Sequence, residues 1–313
     1  MNPNNWALHR MRKAYKLYRL ARWMARSMLG VLVSGATIGA CSPGSPADNA
    51  ARTAALPVGH GHAQADSRPA DSVLLRVEVQ DVLPHDPQAF TQGLEFHGGT
   101  LYESTGLVGR SSVRAGQPGE PATAYAGLPA PLFGEGITVS RAGLWQLTWR
   151  NGIAIQRDPT TLTERRRATY QGEGWGLCHQ RVAGRERLVM SDGTDRLTFR
   201  DPDTLKATGG VDVRHDGRPV TQLNELECAP DGSVYANVHP TDTIVRIDPA
   251  TGAVTARIDA TGLLAPSERR SAQVLNGIAA VPGTNQFLIT GKLWPHIFKV
   301  TFTSVASAGR DRS

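Results

Sequence analysis

A short phrase recurs five times along this chain, and it constrains the fold more than any other feature of the sequence. Its first residue is polar or aromatic, its second is usually glycine and its third is aliphatic. The body of a strand follows. The phrase reads QGLEF, EGITV, WGLCH, NELEC and NGIAA, beginning at Gln92, Glu135, Trp175, Asn224 and Asn276. The intervals are 43, 40, 49 and 52 residues. Internal similarity at such a period is typical of repeat folds.

The segments between the phrases describe the rest of each repeat. Each phrase precedes a second strand-like run (LYESTG, LWQLTW, LVMSDG, VYANVH and FLITGK), and three repeats end a third run in an Asp-Pro turn, at Asp158, Asp201 and Asp248. Five units of about 40–50 residues with three or four strands each predict an all-β, five-bladed β-propeller. Residues 73–83 are expected to close the ring as the outer strand of the last blade. A β-sandwich, the alternative, gives no reason for one phrase to occur five times.

The basic charge of the chain belongs to its beginning. Residues 1–40 contain seven lysines and arginines and no acidic residue, which leaves 27 of the 34 basic residues against all 28 acidic ones. A nearly neutral remainder gives no electrostatic footprint for nucleic acid. We therefore expect no nucleic-acid partner.

The first 40 residues have the anatomy of an export signal. A cationic stretch precedes an apolar run at residues 28–38, which is too short to span a bilayer, and IGAC follows. The string resembles a bacterial lipoprotein cleavage box, so Cys41 is the expected lipid anchor, with a plain cleaved signal as the alternative. We expect a periplasmic, membrane-anchored protein with a flexible linker at 41–72, a propeller at 73–303 and a tail at 304–313. No amphipathic segment predicts an oligomer, so a monomer is expected.

Two further cysteines, Cys178 and Cys228, lie in the predicted propeller. An oxidising periplasm permits a disulfide between them, but the sequence leaves the paired and the free states both open. The cysteines and histidines do not have zinc-site spacing, and His60 and His62 lie in the linker. No metal ligand is therefore predicted.

The propeller geometry predicts where chemistry can occur. The first strand of each blade lines the central channel, so the five phrase-starting residues are expected to form a ring at one mouth. That ring holds two asparagines, a glutamine, one carboxylate and one indole, which is more heterogeneous than a purely structural repeat requires. Positions 14 to 16 residues further on, Trp149, His239 and Lys292, are expected near the same mouth.

Nine phrases also resemble a known family. HDPQAFTQGLEF, LYESTGLVGRSSVR, FGEGIT, QLTW, EGWGL, MSDG, LNELE, VLNGIA and TGK-W follow the order of the plant and bacterial glutaminyl cyclases, a family of five-bladed propellers. The resemblance implies a glutaminyl-peptide cyclotransferase, which closes the N-terminal glutamine of peptides into pyroglutamate and releases ammonia. It implies no required cofactor, and it is compatible with a structural divalent ion in the channel.

The same resemblance implies a set of site residues. Glu135 is the expected catalytic proton shuttle, and the expected substrate-binding residues are Phe90, Gln92, Trp149, Trp175, Asn224, His239 and Lys292. His239 is a departure, because the family commonly has tryptophan after ANV. Gln92, Asn224 and Lys292 all remain candidates to donate to the oxyanion. The alternatives to this function are a metal-dependent lactonase-like propeller and a non-catalytic binding propeller.

Overall fold

The computed structural model describes residues 72–182 and 184–305. The predicted export signal, Cys41, most of the linker and the end of the tail lie outside these residues. Within them the chain forms 22 strands and one short 3-10 helix, Glu268–Arg270. The described residues include no helix that is long and apolar enough to cross a membrane.

Twenty of the strands form five blades, each an antiparallel arrangement of four strands. From the inner to the outer strand, blade 1 is β2 (Thr91–His97), β3 (Thr100–Thr105), β4 (Ser112–Gly116) and β5 (Ala124–Gly127); blade 2 is β6 (Gly134–Ser140), β7 (Gly143–Thr148), β8 (Ile153–Arg157) and β9 (Glu164–Thr169); blade 3 is β10 (Leu177–Val182), β11 (Arg185–Met190), β12 (Arg196–Arg200) and β13 (Ala207–Asp212); blade 4 is β16 (Leu223–Cys228), β17 (Val234–Val238), β18 (Thr243–Ile247) and β19 (Val254–Asp259); and blade 5 is β20 (Leu275–Ala280), β21 (Phe287–Gly291), β22 (His296–Ser304) and β1 (Val73–Pro84). A small hairpin, β14 (Arg214–His215) and β15 (Arg218–Pro219), lies between blades 3 and 4 in the sequence. The predicted five-bladed propeller is confirmed.

The first strand of the described chain closes the ring. β1 pairs antiparallel with β22, from Leu75 opposite Ser304 to Pro84 opposite His296. It also pairs in parallel with β19, so that blades 4 and 5 share one continuous sheet. The prediction that this segment is the outer strand of the last blade is confirmed. Strands from the two ends of the domain thus hold each other in place.

The repeated Asp-Pro turns connect the third and fourth strands of three blades. In each turn the aspartate carbonyl accepts a 2.8 Å hydrogen bond from the residue four positions on, Leu162, Leu205 or Gly252. The aspartate side chain also accepts backbone N–H groups, for example that of Thr160 at 2.9 Å from Asp158 Oδ1. This Asx-type bonding is why the Asp-Pro sequence repeats.

Glycine in the repeated phrase allows the inner strands to lie very close together. A Cβ atom on Gly93 would lie 2.7 Å from the Ile137 nitrogen, and one on Gly136 would lie 2.6 Å from the Leu177 nitrogen. A Cβ on Gly176 would overlap the Asn224 carbonyl oxygen and lie 2.9 Å from the Leu226 nitrogen. Each glycine therefore faces the inner strand of the next blade, and the space between them is too small for any side chain.

In blade 4 the phrase has Glu225 where the others have glycine. The buried carboxylate accepts the backbone N–H of Leu94 at 3.1 Å and that of Ile278 at 2.8 Å. These N–H groups belong to the inner strands of blades 1 and 5. Glu225 thus satisfies two donors that would otherwise be buried without partners.

Apolar side chains fill the spaces between neighbouring blades. The cluster around Ile137, for example, combines residues of blades 1 and 2, and the one around Ile258 combines blades 4 and 5. Trp145 and Trp294 are fully buried in such clusters, and each indole donates to a backbone carbonyl, that of Pro202 or Gln273. These two tryptophans belong to the core, unlike the two described below.

Cys178 and Cys228 form a disulfide, which decides the question that the sequence left open. It joins the inner strands of blades 3 and 4, β10 and β16. The Cα atoms are 5.4 Å apart, within the range that a disulfide requires. The bond therefore closes a loop across one blade interface.

We predict that Gly176→Ala destabilises the propeller, because the added methyl would overlap backbone atoms of the next blade. Overpacking of this kind typically costs about 1–3 kcal/mol. Chemical denaturation would measure the loss, with Gly209→Ala as the control, since a Cβ there meets nothing closer than 3.6 Å. Equal stability of the two variants would contradict the close approach.

Replacing both Cys178 and Cys228 by alanine is expected to lower the unfolding free energy by about 2–4 kcal/mol, because the unfolded chain regains the freedom of a long loop. Denaturant titrations of the double variant and of the wild type with and without reductant would test this. The reduced wild type should approach the variant. An unchanged midpoint in both would show that the disulfide does not stabilise the fold.

Candidate active site

Backbone hydrogen bonds place three of the predicted residues at one mouth of the channel. The residue after the second strand donates its N–H to the carbonyl just before the first strand in each case. Trp149 donates to Phe133 at 3.0 Å, His239 to Gln222 at 2.9 Å and Lys292 to Val274 at 3.0 Å. Because those acceptors lie two residues before the ring residues Glu135, Asn224 and Asn276, the two sets lie at the same mouth.

Glu135 is a buried carboxyl group at this mouth, with 4% of the residue exposed. Gln92 Nε2 donates a 2.8 Å hydrogen bond to Glu135 Oε1. Burial raises the pKa of Glu135 well above its ordinary value, Lys292 opposes the increase, and Glu173 adds to it. A strongly raised pKa in a buried carboxyl group is typical of functional sites.

Gln92 is itself held in one orientation. Asn276 Nδ2 donates to Gln92 Oε1 at 3.2 Å and to the Thr91 carbonyl at 3.1 Å. With its oxygen bonded to Asn276, the Gln92 amide presents its NH₂ group to Glu135. Three ring residues from blades 5, 1 and 2 therefore form one hydrogen-bonded chain that ends on the carboxyl group.

Lys292 is the buried cation of the site. It is 6% exposed, and its Nζ lies 5.1 Å from the centre of the Phe90 ring. Burial lowers the pKa of Lys292 to about 8, although the nearby Glu135 acts in the opposite direction. The ammonium group is therefore mostly charged at neutral pH, and it loses its proton at mildly alkaline pH.

Aromatic side chains form the walls of the mouth. The Phe90 and Phe133 rings meet edge to face, with centroids 6.2 Å apart, and Phe133 lies 5.5 Å from Trp149. On the other side Trp175 lies 6.0 Å from His239, also edge to face. Trp149 and Trp175 are only partly buried, unlike the core tryptophans, so part of each indole is available to a ligand.

Three polar side chains near the mouth, those of Asn224, His239 and Asn276, each have a buried atom without a hydrogen-bond partner. Asn224 is 3% exposed, and its Oδ1 has none. His239 Nδ1 is in the same situation. Burial, and secondarily the charge of Lys292, lower the pKa of His239 to about 4, so the imidazole is neutral at neutral pH. Buried polar atoms without partners are uncommon and are often found at functional sites.

The structure also shows two site residues, Glu173 and Asn276, that were not among the site residues predicted from the sequence. Glu173 accepts hydrogen bonds from both Trp149 and Trp175, and Asn276 holds Gln92. Asn276 was identified as a ring residue but was not included among the site residues, and Glu173 lies within the EGWGL motif. Their partners come from different blades, so the pairings become visible only when the ring is closed.

No group of three or more His, Cys, Asp and Glu residues suited to a metal ion occurs among residues 72–182 and 184–305. The site instead combines one buried carboxyl group, a buried ammonium, amide groups and flat aromatic walls. Such a set suits the binding of a small polar group and the movement of protons around it.

Comparisons with known proteins point to one family. Residues 52–302 match the family model described as glutamine cyclotransferase. A glutaminyl-peptide cyclotransferase from Arabidopsis thaliana is 38% identical over 231 residues, which cover 72% of this chain and 70% of that protein. The crystal structure of Myxococcus xanthus glutaminyl cyclase aligns with a TM-score of 0.66 and 38% identity, and it covers 75% of this chain and 100% of that one.

Proposed function

The chain belongs to the glutamine cyclotransferase family, and on that premise we propose that Glu135 is its proton shuttle. The chain is a glutaminyl-peptide cyclotransferase, which converts the N-terminal glutamine of peptides and proteins to pyroglutamate with release of ammonia. The observation that carries the proposal is the buried carboxyl of Glu135, fixed by Gln92 and close enough to Lys292 that each affects the pKa of the other.

The reaction needs one proton to change place. The α-amine nitrogen attacks the γ-carboxamide carbon, the new C–N bond forms, and the old C–N bond breaks. In our proposal ionised Glu135 accepts a proton from the attacking amine and delivers it to the departing NH₂, which leaves as ammonia. Proton transfer of this kind contributes about 10²–10⁴ in rate. The raised pKa of Glu135 makes its ionised form a stronger base toward the attacking amine.

The developing negative charge is on the γ-carboxamide oxygen. Lys292 is the buried group best suited to stabilise it, because a charged donor in a poorly solvated pocket interacts more strongly than an amide does. Gln92 already donates one amide N–H to Glu135 and accepts from Asn276, so only its second N–H remains for the substrate. Asn224, whose Oδ1 has no partner, is better suited to accept an N–H group of the substrate.

The aromatic walls have a separate task. A free glutamine side chain rarely folds back onto its own amine, so the pocket must hold this conformer. We assign Phe90, Trp149 and Trp175 to that role, with neutral His239 beside Trp175. The proposal requires no organic cofactor and no catalytic metal. A structural divalent ion in the channel is a separate prediction.

The location outside the cytoplasm is likewise part of the proposal. It is supported by the cationic and apolar pattern of the first 40 residues, with Cys41 as the proposed lipid anchor. The Cys178–Cys228 disulfide agrees with it, since disulfides persist mainly in oxidising compartments such as the periplasm. A monomer attached only through its lipid is the proposed form.

We expect Glu135→Gln to lower kcat by about 10²–10⁴, because the amide cannot accept the proton. Ammonia release from a glutaminyl dipeptide would be measured for the wild type, this variant and Glu164→Gln, a control at an exposed carboxylate of β9. The wild type should keep its activity in EDTA. Near-normal activity of a folded Glu135→Gln variant would exclude the proton shuttle, and loss of wild-type activity in EDTA would favour a lactonase-like metal mechanism.

Lys292 should set the alkaline limit of activity. Its charged form is present below its pKa of about 8 and is lost above it, so kcat/KM should fall as the pH rises past that value. In Lys292→Arg the charge persists to far higher pH, and the alkaline limb should move upward. Normalised pH profiles with the same dipeptide would test this, with Lys299→Arg as the control. An unmoved limb would exclude Lys292 as its origin.

A further inference from the structure

We propose that Glu173 is a positioning residue that ties the two indole walls of the pocket together and so sets its width. The inference rests on the proposed function, since it concerns how the same pocket holds the folded-back glutamine. Glu173 lies in the segment between β9 and β10. It differs from Glu135 in being partly exposed, with 28% of its side chain accessible.

A single oxygen of Glu173 makes both contacts. Its Oε2 accepts a hydrogen bond from Trp149 Nε1 at 2.8 Å and from Trp175 Nε1 at 3.0 Å. An indole has only this one N–H donor, so each ring has its only hydrogen bond committed to the same atom. Trp149 follows the second strand of blade 2 and Trp175 precedes the first strand of blade 3. The carboxylate therefore fixes the distance between walls contributed by two blades.

The backbone around Glu173 is held in place as well. Gly174 donates its N–H to the Trp149 carbonyl at 2.9 Å, and Trp175 donates its N–H to the Ser191 carbonyl at 3.0 Å. The Trp175 carbonyl in turn accepts the Gly136 N–H at 2.7 Å, directly beside Glu135. The segment that carries Glu173 is thus hydrogen-bonded to blades 2 and 3. One of these bonds is to Gly136, the residue after Glu135.

The other oxygen of Glu173 has a different partner. Arg150 Nε donates to Glu173 Oε1 at 3.1 Å, and the Arg150 guanidinium lies 3.8 Å from the centre of the Trp149 ring. Both oxygens are therefore engaged by protein groups. This arrangement assigns Glu173 to positioning rather than to direct binding of the substrate amine.

Glu173 also acts on Glu135 through its charge. Burial is the main cause of the raised pKa of Glu135, and Lys292 acts in the opposite direction. The negative charge of Glu173 adds to the increase. Removing the charge should therefore lower that pKa. Because the proposed shuttle must be ionised to accept a proton, the acidic limb of the activity profile should then move to lower pH.

Two substitutions separate these effects. Glu173→Gln keeps one acceptor oxygen for the indoles but removes the charge, so it should leave KM within about twofold of wild type and shift the acidic limb downward. Glu173→Ala removes both, and it should raise KM about tenfold or more, as expected for the loss of hydrogen bonds to a charged group. If Glu173 had a purely structural role, the melting temperature of both variants would fall. The two variants would then not differ in whether KM or the pH profile changes.

The experiment is steady-state ammonia release from a glutaminyl dipeptide at several pH values, with Glu164→Ala as the control for loss of a surface carboxylate. A KM increase in Glu173→Ala, together with wild-type KM and a lowered acidic limb in Glu173→Gln, is the expected result. Unchanged KM in Glu173→Ala, or identical behaviour of the two variants, would overturn the proposal.

Tryptophan emission provides a readout that does not depend on turnover. Release of two partly exposed indoles should shift the emission maximum of Glu173→Ala to longer wavelength, while Glu173→Gln and Glu164→Ala should match the wild type. If the wild type itself released no ammonia, the proposed function would fail, and the role of Glu173 would be decided by this spectrum. No spectral difference between Glu173→Ala and wild type would reject it.

Discussion

The close approach of the five inner strands is the constraint on which the rest of this propeller depends. Gly93, Gly136 and Gly176 face the next inner strand at distances that exclude a side chain. At the corresponding position of blade 4, Glu225 instead bonds the backbone of blades 1 and 5. Because the ring is this narrow, residues that begin each inner strand are brought together although 40 or more positions separate them in the sequence.

The narrow ring also changes the pKa values of the charged residues in the site, because it buries them. Glu135 and Lys292 are both removed from water, and for each of them burial outweighs the attraction of the other. The pKa of Glu135 is therefore raised, and that of Lys292 is lowered to about 8. The hydrogen-bonded chain from Asn276 through Gln92 fixes the geometry within which this balance operates.

Much of this arrangement could be predicted from the sequence. The fivefold phrase predicted the number of blades, because a repeated local pattern specifies a repeated unit, and the same count placed Trp149, His239 and Lys292 at the mouth. The role of Glu173 could not be predicted in this way. Its partners Trp149 and Trp175 lie on two blades, and no periodicity relates a carboxylate in a connecting segment to the indoles it joins.

By itself, the sequence determined the all-β class, the five blades, the outer strand that closes the ring and the residues that meet at one mouth. These follow from local periodicity, which each repeat contains in full. Only the tertiary structure decided that Cys178 pairs with Cys228, that Trp145 and Trp294 belong to the core while Trp149 and Trp175 line the site, and that Glu225 bridges three blades. Those outcomes depend on distances across the closed ring, and such distances exist only once all five blades have packed together.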